Sequence, residues 1–313
     1  MESLNAAQSV GDNQAPALPV GNAGLDLRHG RKGLRDLMFQ RACAWSFAAV
    51  VLCAPVAAVA QEMAIAARPA FALPSAPPTL SPDCRSKRSV GDLFRRPLRT
   101  LSRVVRDSRP VRVLAIGSSS TVGIGASSPS ATYVAKLEAT LEGTFKGLDF
   151  DVIGRGLSGE VAQGAADRMK QEVEQAKPDL VVWQVGTNDA IRHVSIDSFK
   201  DCLRKTLAWL REHRTDVVLI DPQYGDSLTK DEHYERVVAA IAEVARESRV
   251  LLVDRFEAMR ELHRVHGDRF YLTSDNLHMN DTGHRCMAEQ LARSIVGGLL
   301  MADAEAAQPV FYP

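Results

Sequence analysis

The chain has no net formal charge over its 313 residues, only five cysteines and no internal repeat. It has no C-x-x-C pair and no Cys/His spacing of the kind that holds a metal, so neither a metal nor a cofactor is expected. The absent repeat argues against a solenoid or propeller and for one globular domain. The zero net charge hides an asymmetry. Residues 85–112 hold ten Lys/Arg against two acids, whereas from 113 onward 22 Lys/Arg face 30 Asp/Glu. A basic arm therefore precedes an acidic domain, and the simplest reading packs one on the other. The arm has one aromatic, Phe94, and no recognised motif, which argues against a nucleic-acid partner.

What is present at the N-terminus is an address. Residues 42–60 carry no charge, and Arg28, Arg31, Lys32, Arg35 and Arg41 precede them. Ala58-Val59-Ala60 before Gln61 is an A-x-A cleavage pattern, and Pro55 breaks the helix just upstream. Residues 1–60 thus read as an N-terminal extension and signal peptide, with Met38 as an alternative start. Cleavage is expected near Ala60/Gln61, and the mature protein is expected to be periplasmic or secreted. Residues 61–83, rich in Ala and Pro, read as a disordered linker. Residues 84–110 form the basic arm, in which 90–105 is amphipathic and a candidate for weak membrane-surface contact. Residues 111–300 form the domain and 301–313 a tail.

Export changes the cysteine arithmetic. Cys43 and Cys53 leave with the signal, and Cys84, Cys202 and Cys286 remain. Cys202 shares a helical spacing with Phe199, Leu203, Thr206, Leu207 and Leu210, which reads as a core thiol. If a pair forms in an oxidising compartment, Cys84 with Cys286 is the better candidate.

Beyond residue 110 short apolar runs alternate with helix-length amphipathic segments. The runs are 111–116, 150–153, 180–185, 217–220 and 250–253, continuous in Val, Ile and Leu as strands buried on both faces are. The intervening helices are expected over 129–145, 160–176, 196–213 and 231–247, with further ones near 254–265 and 282–299. This alternation predicts an α/β domain with a doubly wound parallel sheet covered by helices. In such a sheet the site lies at the carboxyl ends of the strands. The five exits read Gly117-Ser118-Ser119-Ser120-Thr121-Val122-Gly123, then Gly154-Arg155-Gly156-Leu157-Ser158-Gly159-Glu160, then Gly186-Thr187-Asn188-Asp189, then Asp221-Pro222-Gln223-Tyr224, and finally Ser274-Asp275-Asn276-Leu277-His278 before the last helix. The first could be a polar or phosphate-binding loop, but it lacks the lysine of a P-loop.

Together and in this order these blocks resemble the SGNH, or GDSL, family of esterases and lipases over roughly residues 111–298. GSSSTVG matches the family's G-D-S-x-T-x-G with Ser118 in the Asp place, GTND matches G-x-N-D, and Asp275 and His278 match D-x-x-H. The resemblance implies a flavodoxin-like three-layer α/β/α sandwich around a five-stranded parallel sheet. It also implies a serine esterase with Ser119 as nucleophile and with Asp275 and His278 completing the triad. The oxyanion hole would be formed by the N–H groups of Ser119 and Gly159 and the side-chain amide of Asn188. The triad acid comes from D-x-x-H, so Ser118 leaves the catalytic set complete.

These residue types suit one another. A serine hydroxyl needs a neighbouring base to become a nucleophile. His278 can take its proton near neutral pH, and Asp275, three residues earlier, can hold the imidazole tautomer. A second D-x-x-H, Asp281 with His284, overlaps the first. Its Asp281-Thr282-Gly283 looks like a helix start capped by Asp281 or Thr282, so His278 is preferred as the base. His193, His213, His233, His263 and His266 read as solvated. Arg155, Gln223, Tyr224 and Trp183 are candidates for lining the substrate pocket. The expected substrate is a small-molecule or saccharide ester, above all an acetylated carbohydrate. A lysophospholipase- or thioesterase-like hydrolase at the membrane is an alternative, and a catalytically weak ligand-binding protein is another of a different class. The oligomeric state is left open.

Overall fold

The computed structural model describes residues 71–85 and 96–307. The expected signal peptide and residues 86–95 of the arm lie outside them. Five strands, β1 (Val111–Gly117), β2 (Phe150–Gly156), β3 (Leu180–Gln184), β4 (Asp216–Ile220) and β5 (Leu251–Val253), form one parallel sheet in the order β2-β1-β3-β4-β5. The helices are α1 (Arg99–Arg106), α2 (Ser119–Val122), α3 (Tyr133–Thr144), α4 (Ala162–Ala176), α5 (Thr187–Ile191), α6 (Ile196–Glu212), α7 (Glu232–Ser248), α8 (Arg255–His266) and α9 (Asp281–Ala307).

Successive strand residues point to opposite faces, and both faces are covered. Val113, Ala115, Val182, Val218 and Ile220 pack into one core with Leu101 of α1, Leu137 of α3 and Leu291 of α9. Leu114, Ile116, Val181, Trp183 and Leu219 pack into the other with Met169 of α4, Leu203 of α6 and Val237 of α7. That is the three-layer α/β/α sandwich, and it is why the apolar runs are unbroken rather than alternating. Trp183, a candidate pocket residue, is fully buried in the second core.

The N-terminal segment departs from expectation. From Phe71 the supposed linker lies on the domain: the Phe71 N–H donates to the Arg106 carbonyl at 3.2 Å, and its ring sits 6.3 Å from that of Phe145. Phe71 and Leu73 pack on the first core, apolar side chains that an average over the Ala/Pro-rich stretch conceals. A disulfide joins Cys84 to Cys286 of α9, and Cys202 is a free, buried thiol. Closing a loop across 202 residues stabilises the fold by ~5 kcal/mol in the chain-entropy account.

The described part of the basic arm also packs on the domain. Leu101, Val104 and Val105 of α1 are buried, and Arg99 and Arg106 pair with Glu305 and Asp303 of α9. The N–H groups of Thr100 and Leu101 donate to Asp216 Oδ2 at 2.8 and 3.0 Å, so a carboxylate from β4 caps α1. The apolar residues of this helix are thus turned into the protein. At the other end α9 continues to Ala307, through the first residues of the expected tail.

Candidate active site

The three serines separate by burial. Ser118 and Ser120 are 5% and 4% exposed, and Ser119 is the one left half-buried. Ser118 follows β1, with its N–H and its hydroxyl both donating to Gln184 Oε1 of β3 at 3.1 Å. It braces the turn, in the place where the family pattern has Asp. Ser120 faces the buried Arg255, whose Nη1 lies 3.5 Å from its Oγ. Ser119 opens α2. Among the described residues its hydroxyl and its N–H make no hydrogen bond to protein.

The β2 exit is held against this turn. The Leu157 N–H donates to the Gly117 carbonyl at 2.9 Å. A side chain at Gly156 would place its Cβ 2.4 Å from the Val122 backbone N, so only glycine lets α2 sit on the end of β2. Gly159 has φ +76°, the left-handed region that glycine adopts without strain, and its N–H takes no protein acceptor among the described residues. At the β3 exit Asn188 Nδ2 donates to the Glu160 carbonyl at 2.9 Å, which fixes the amide beside the Gly159 loop. Asp189 braces the same junction: its two carboxylate oxygens accept from the Ala162 N–H at 2.9 and 3.1 Å, at the start of α4. Burial pushes its carboxyl up to about 6 despite these hydrogen bonds. Since β2, β1 and β3 are neighbours, Gly159, Ser119 and Asn188 stand at adjacent strand exits.

The fifth exit leads through α8 to the loop of Asp275 and His278. His278 Nδ1 lies 2.6 Å from Asp275 Oδ2. Asp275 Oδ1 accepts from Thr273 Oγ1 at 2.6 Å and from the N–H groups of Leu277 and His278, both at 2.9 Å. Partial desolvation raises the Asp275 carboxyl. The hydrogen bonds, led by Thr273 and His278, outweigh it and hold the group well below the usual carboxylate range. The Asp275 carboxyl is therefore anionic, and it faces one ring nitrogen of His278.

His284 is placed differently. It is fully buried; its Nδ1 accepts the Tyr133 N–H at 3.2 Å and its Nε2 lies 3.3 Å from the Ile124 carbonyl. Burial lowers its basicity. Asp281 instead binds Ser127, through the backbone N–H at 2.7 Å and the hydroxyl at 2.6 Å. The cap of α9 is Asn280, whose Oδ1 accepts the Gly283 N–H at 3.0 Å, rather than Asp281 or Thr282. His233 is also not solvated: it is buried, with Nε2 3.0 Å from the Val194 carbonyl and its ring 4.9 Å from that of His193.

Of the residues expected to line the pocket, Gln223 is 3% exposed and its amide is consumed by the protein. Its Oε1 accepts from Thr187 Oγ1 and Arg255 Nη2, and its Nε2 donates to the Leu277 carbonyl, so it braces the site rather than facing substrate. Arg155 is exposed and pairs with Glu172 of α4 at 3.1 Å. Tyr224 is half-buried, with its hydroxyl donating to Asp226 at 3.1 Å. Four structural roles were not read from the sequence: those of Gln184, Asp189, Thr273 and Arg255. Gln184 had a signal, a polar residue at the end of a buried strand. Among the described residues Asp226, His263 and Asp268 could together hold a metal ion, but the ring nitrogens of His263 already face the two carboxylates at 3.1 and 2.9 Å.

The family described as Non-GDSL lipase-like matches residues 83–301 of the chain. Over 182 residues the chain is 28% identical to an acetylxylan esterase of Geobacillus stearothermophilus, spanning 52% of this chain and 80% of that one. It is 27% identical over 170 residues to esterase TesA of Pseudomonas aeruginosa, spanning 53% and 78%. Among solved structures, an acetyl-xylooligosaccharide esterase from Geobacillus is similar with a TM-score of 0.52 at 24% identity, covering 59% of this chain and 94% of the other. A TesA structure is similar with a TM-score of 0.52 at 23% identity, covering 59% and 97%.

Proposed function

Because the chain belongs to the Non-GDSL lipase-like family and is a hydrolase of ester bonds, we propose that it is an exported serine esterase that removes small acyl groups from carbohydrate through Ser119, His278 and Asp275. The observation that carries the reading is the 2.6 Å contact between His278 Nδ1 and Asp275 Oδ2. It holds the proton on Nδ1 and keeps Nε2 free to act as the base. Ser119 Oγ attacks the ester carbonyl carbon while its proton passes to His278 Nε2. The tetrahedral oxyanion is received by the N–H groups of Ser119 and Gly159 and by the Asn188 amide. The imidazolium then protonates the leaving alcohol, and an acyl-enzyme remains. Water, deprotonated by the same imidazole, attacks the acyl carbon, and collapse of the second oxyanion returns Ser119 and releases the carboxylic acid.

Acetylated saccharide as substrate is supported by the relatives named for acetylxylan and acetyl-xylooligosaccharides. Export is supported by the A-x-A pattern after the uncharged run and by the Cys84–Cys286 disulfide, which suits an oxidising compartment. A second reading, a hydrolase of longer acyl esters, is favoured by one observation. Val122, Ile124, Leu157 and Ile191 are exposed large apolar residues just beyond the exits of β1, β2 and β3. The test compares acetylated xylan with p-nitrophenyl acetate and longer-chain p-nitrophenyl esters, using the wild type and Ser119→Ala. The proposal expects acetate release from xylan, falling kcat/KM with acyl length and no activity in Ser119→Ala. Preference for long chains moves the substrate to the second reading, and full activity in Ser119→Ala overturns the mechanism.

A further inference from the structure

A charge lies buried beneath the site. Arg255, the first residue of α8, is 1% exposed. Its Nε donates to the Asp221 carbonyl at 2.9 Å and its Nη2 to Gln223 Oε1 at 3.0 Å. Its Nη1 faces Ser120 Oγ at 3.5 Å, Met287 Sδ at 3.7 Å and Met279 Sδ at 3.9 Å. Gln223 extends this reach, accepting from Thr187 Oγ1 at 2.8 Å and donating to the Leu277 carbonyl at 3.0 Å. Four of these contacts fall on a chain neighbour of a residue proposed to do chemistry. Ser120 follows Ser119, Thr187 precedes Asn188, and Leu277 and Met279 flank His278. Burying a guanidinium costs several kcal/mol unless its donors are used, and an apolar side chain of similar volume would pack more cheaply. The charge stands where three separate strand exits must be held at one spacing.

We propose that Arg255 is a positioning residue that, directly and through Gln223, sets the spacing between the nucleophile, the oxyanion amide and the base. The inference rests on the triad reading above. The planar guanidinium suits the task because its donors point in fixed, divergent directions. A lysine ammonium keeps the charge but cannot reach the Asp221 carbonyl, Gln223 and Ser120 together from one nitrogen. A displacement of about 1 Å between nucleophile and base costs on the order of 100-fold in rate.

The experiment measures kcat, KM, the rate of fluorophosphonate labelling and the melting midpoint for wild type, Arg255→Lys and Ser119→Ala. In Arg255→Lys, assayed well below its melting midpoint, kcat and the labelling rate are expected to fall together by about 10- to 100-fold, with KM within about threefold. Lost stability at unchanged kcat assigns Arg255 to folding alone and overturns the inference. Should Arg255→Lys not fold, Gln223→Met, which cuts the branches to Thr187 and Leu277, decides: a tenfold fall in kcat is expected, and wild-type kcat overturns it. Activity in Ser119→Ala contradicts the triad reading. An inactive Ser119→Ala beside a fully active Arg255→Lys contradicts only the positioning role.

Discussion

The loop of His278 and the first turn of α9 carry the same spaced pair, an Asp three residues before a His, and use it in opposite ways. In the loop the carboxylate turns to its own histidine, and Asp275 Oδ2 meets His278 Nδ1 at 2.6 Å. In the helix the carboxylate turns away to Ser127, and His284 spends its ring nitrogens on the backbone of Tyr133 and Ile124. The helix explains part of this: its backbone directs Asp281 outward and buries His284 against α3. The loop leaves His278 half-buried, with Asn276 in the left-handed region at φ +55° turning the chain so that Asp275 can receive the next N–H groups. A motif is therefore read by what its neighbours leave open, not by its spacing.

The largest effect that tests this difference is expected at His278. His278→Ala should lower kcat by on the order of 1,000-fold or more, with the melting midpoint little changed, as steady-state kinetics beside calorimetry will show. Asn188→Ala, which removes one of the proposed oxyanion donors, should lower kcat by ~100-fold with a modest change in KM. The buried side of the comparison is read as stability. Asp189 has its folded carboxyl raised to about 6 from 3.8, so the folded state binds the proton more tightly than the unfolded one. Its favourable contribution is fully present below about pH 4 and is lost as pH rises through 6, a fall of ~3 kcal/mol from this group. Asp189→Asn should flatten that slope in chemical unfolding followed from pH 4 to 7; an unchanged slope would place it on other groups. His284→Ala should cost ~1–3 kcal/mol, because the buried Tyr133 N–H and Ile124 carbonyl lose their partner, while the folded fraction keeps its kcat.

The sheet was legible because burial on both faces writes itself as continuous Val/Ile/Leu runs, and all five strands begin within one residue of where those runs begin. The Cys84–Cys286 pair was legible by exclusion of the helical Cys202. What was not legible depends on contacts far apart in the chain. Ser120 and Arg255 are 135 residues apart, and no local pattern announces their meeting. Gln223 stands at a strand exit, where polar residues commonly face substrate, yet Arg255, Thr187 and Leu277 claim its amide from elsewhere in the chain. The linker reading failed from Phe71 onward for the same reason, since its partners Arg106 and Phe145 come later in the sequence.

The central claim is that Ser119, alone of the three adjacent serines, is the nucleophile activated by His278. Labelling with a fluorophosphonate probe followed by peptide mapping tests it most directly. The account predicts a single adduct on Ser119 in the wild type and in Ser118→Ala, and none in His278→Ala. An adduct on Ser118 or Ser120, or labelling that survives in His278→Ala, would contradict it.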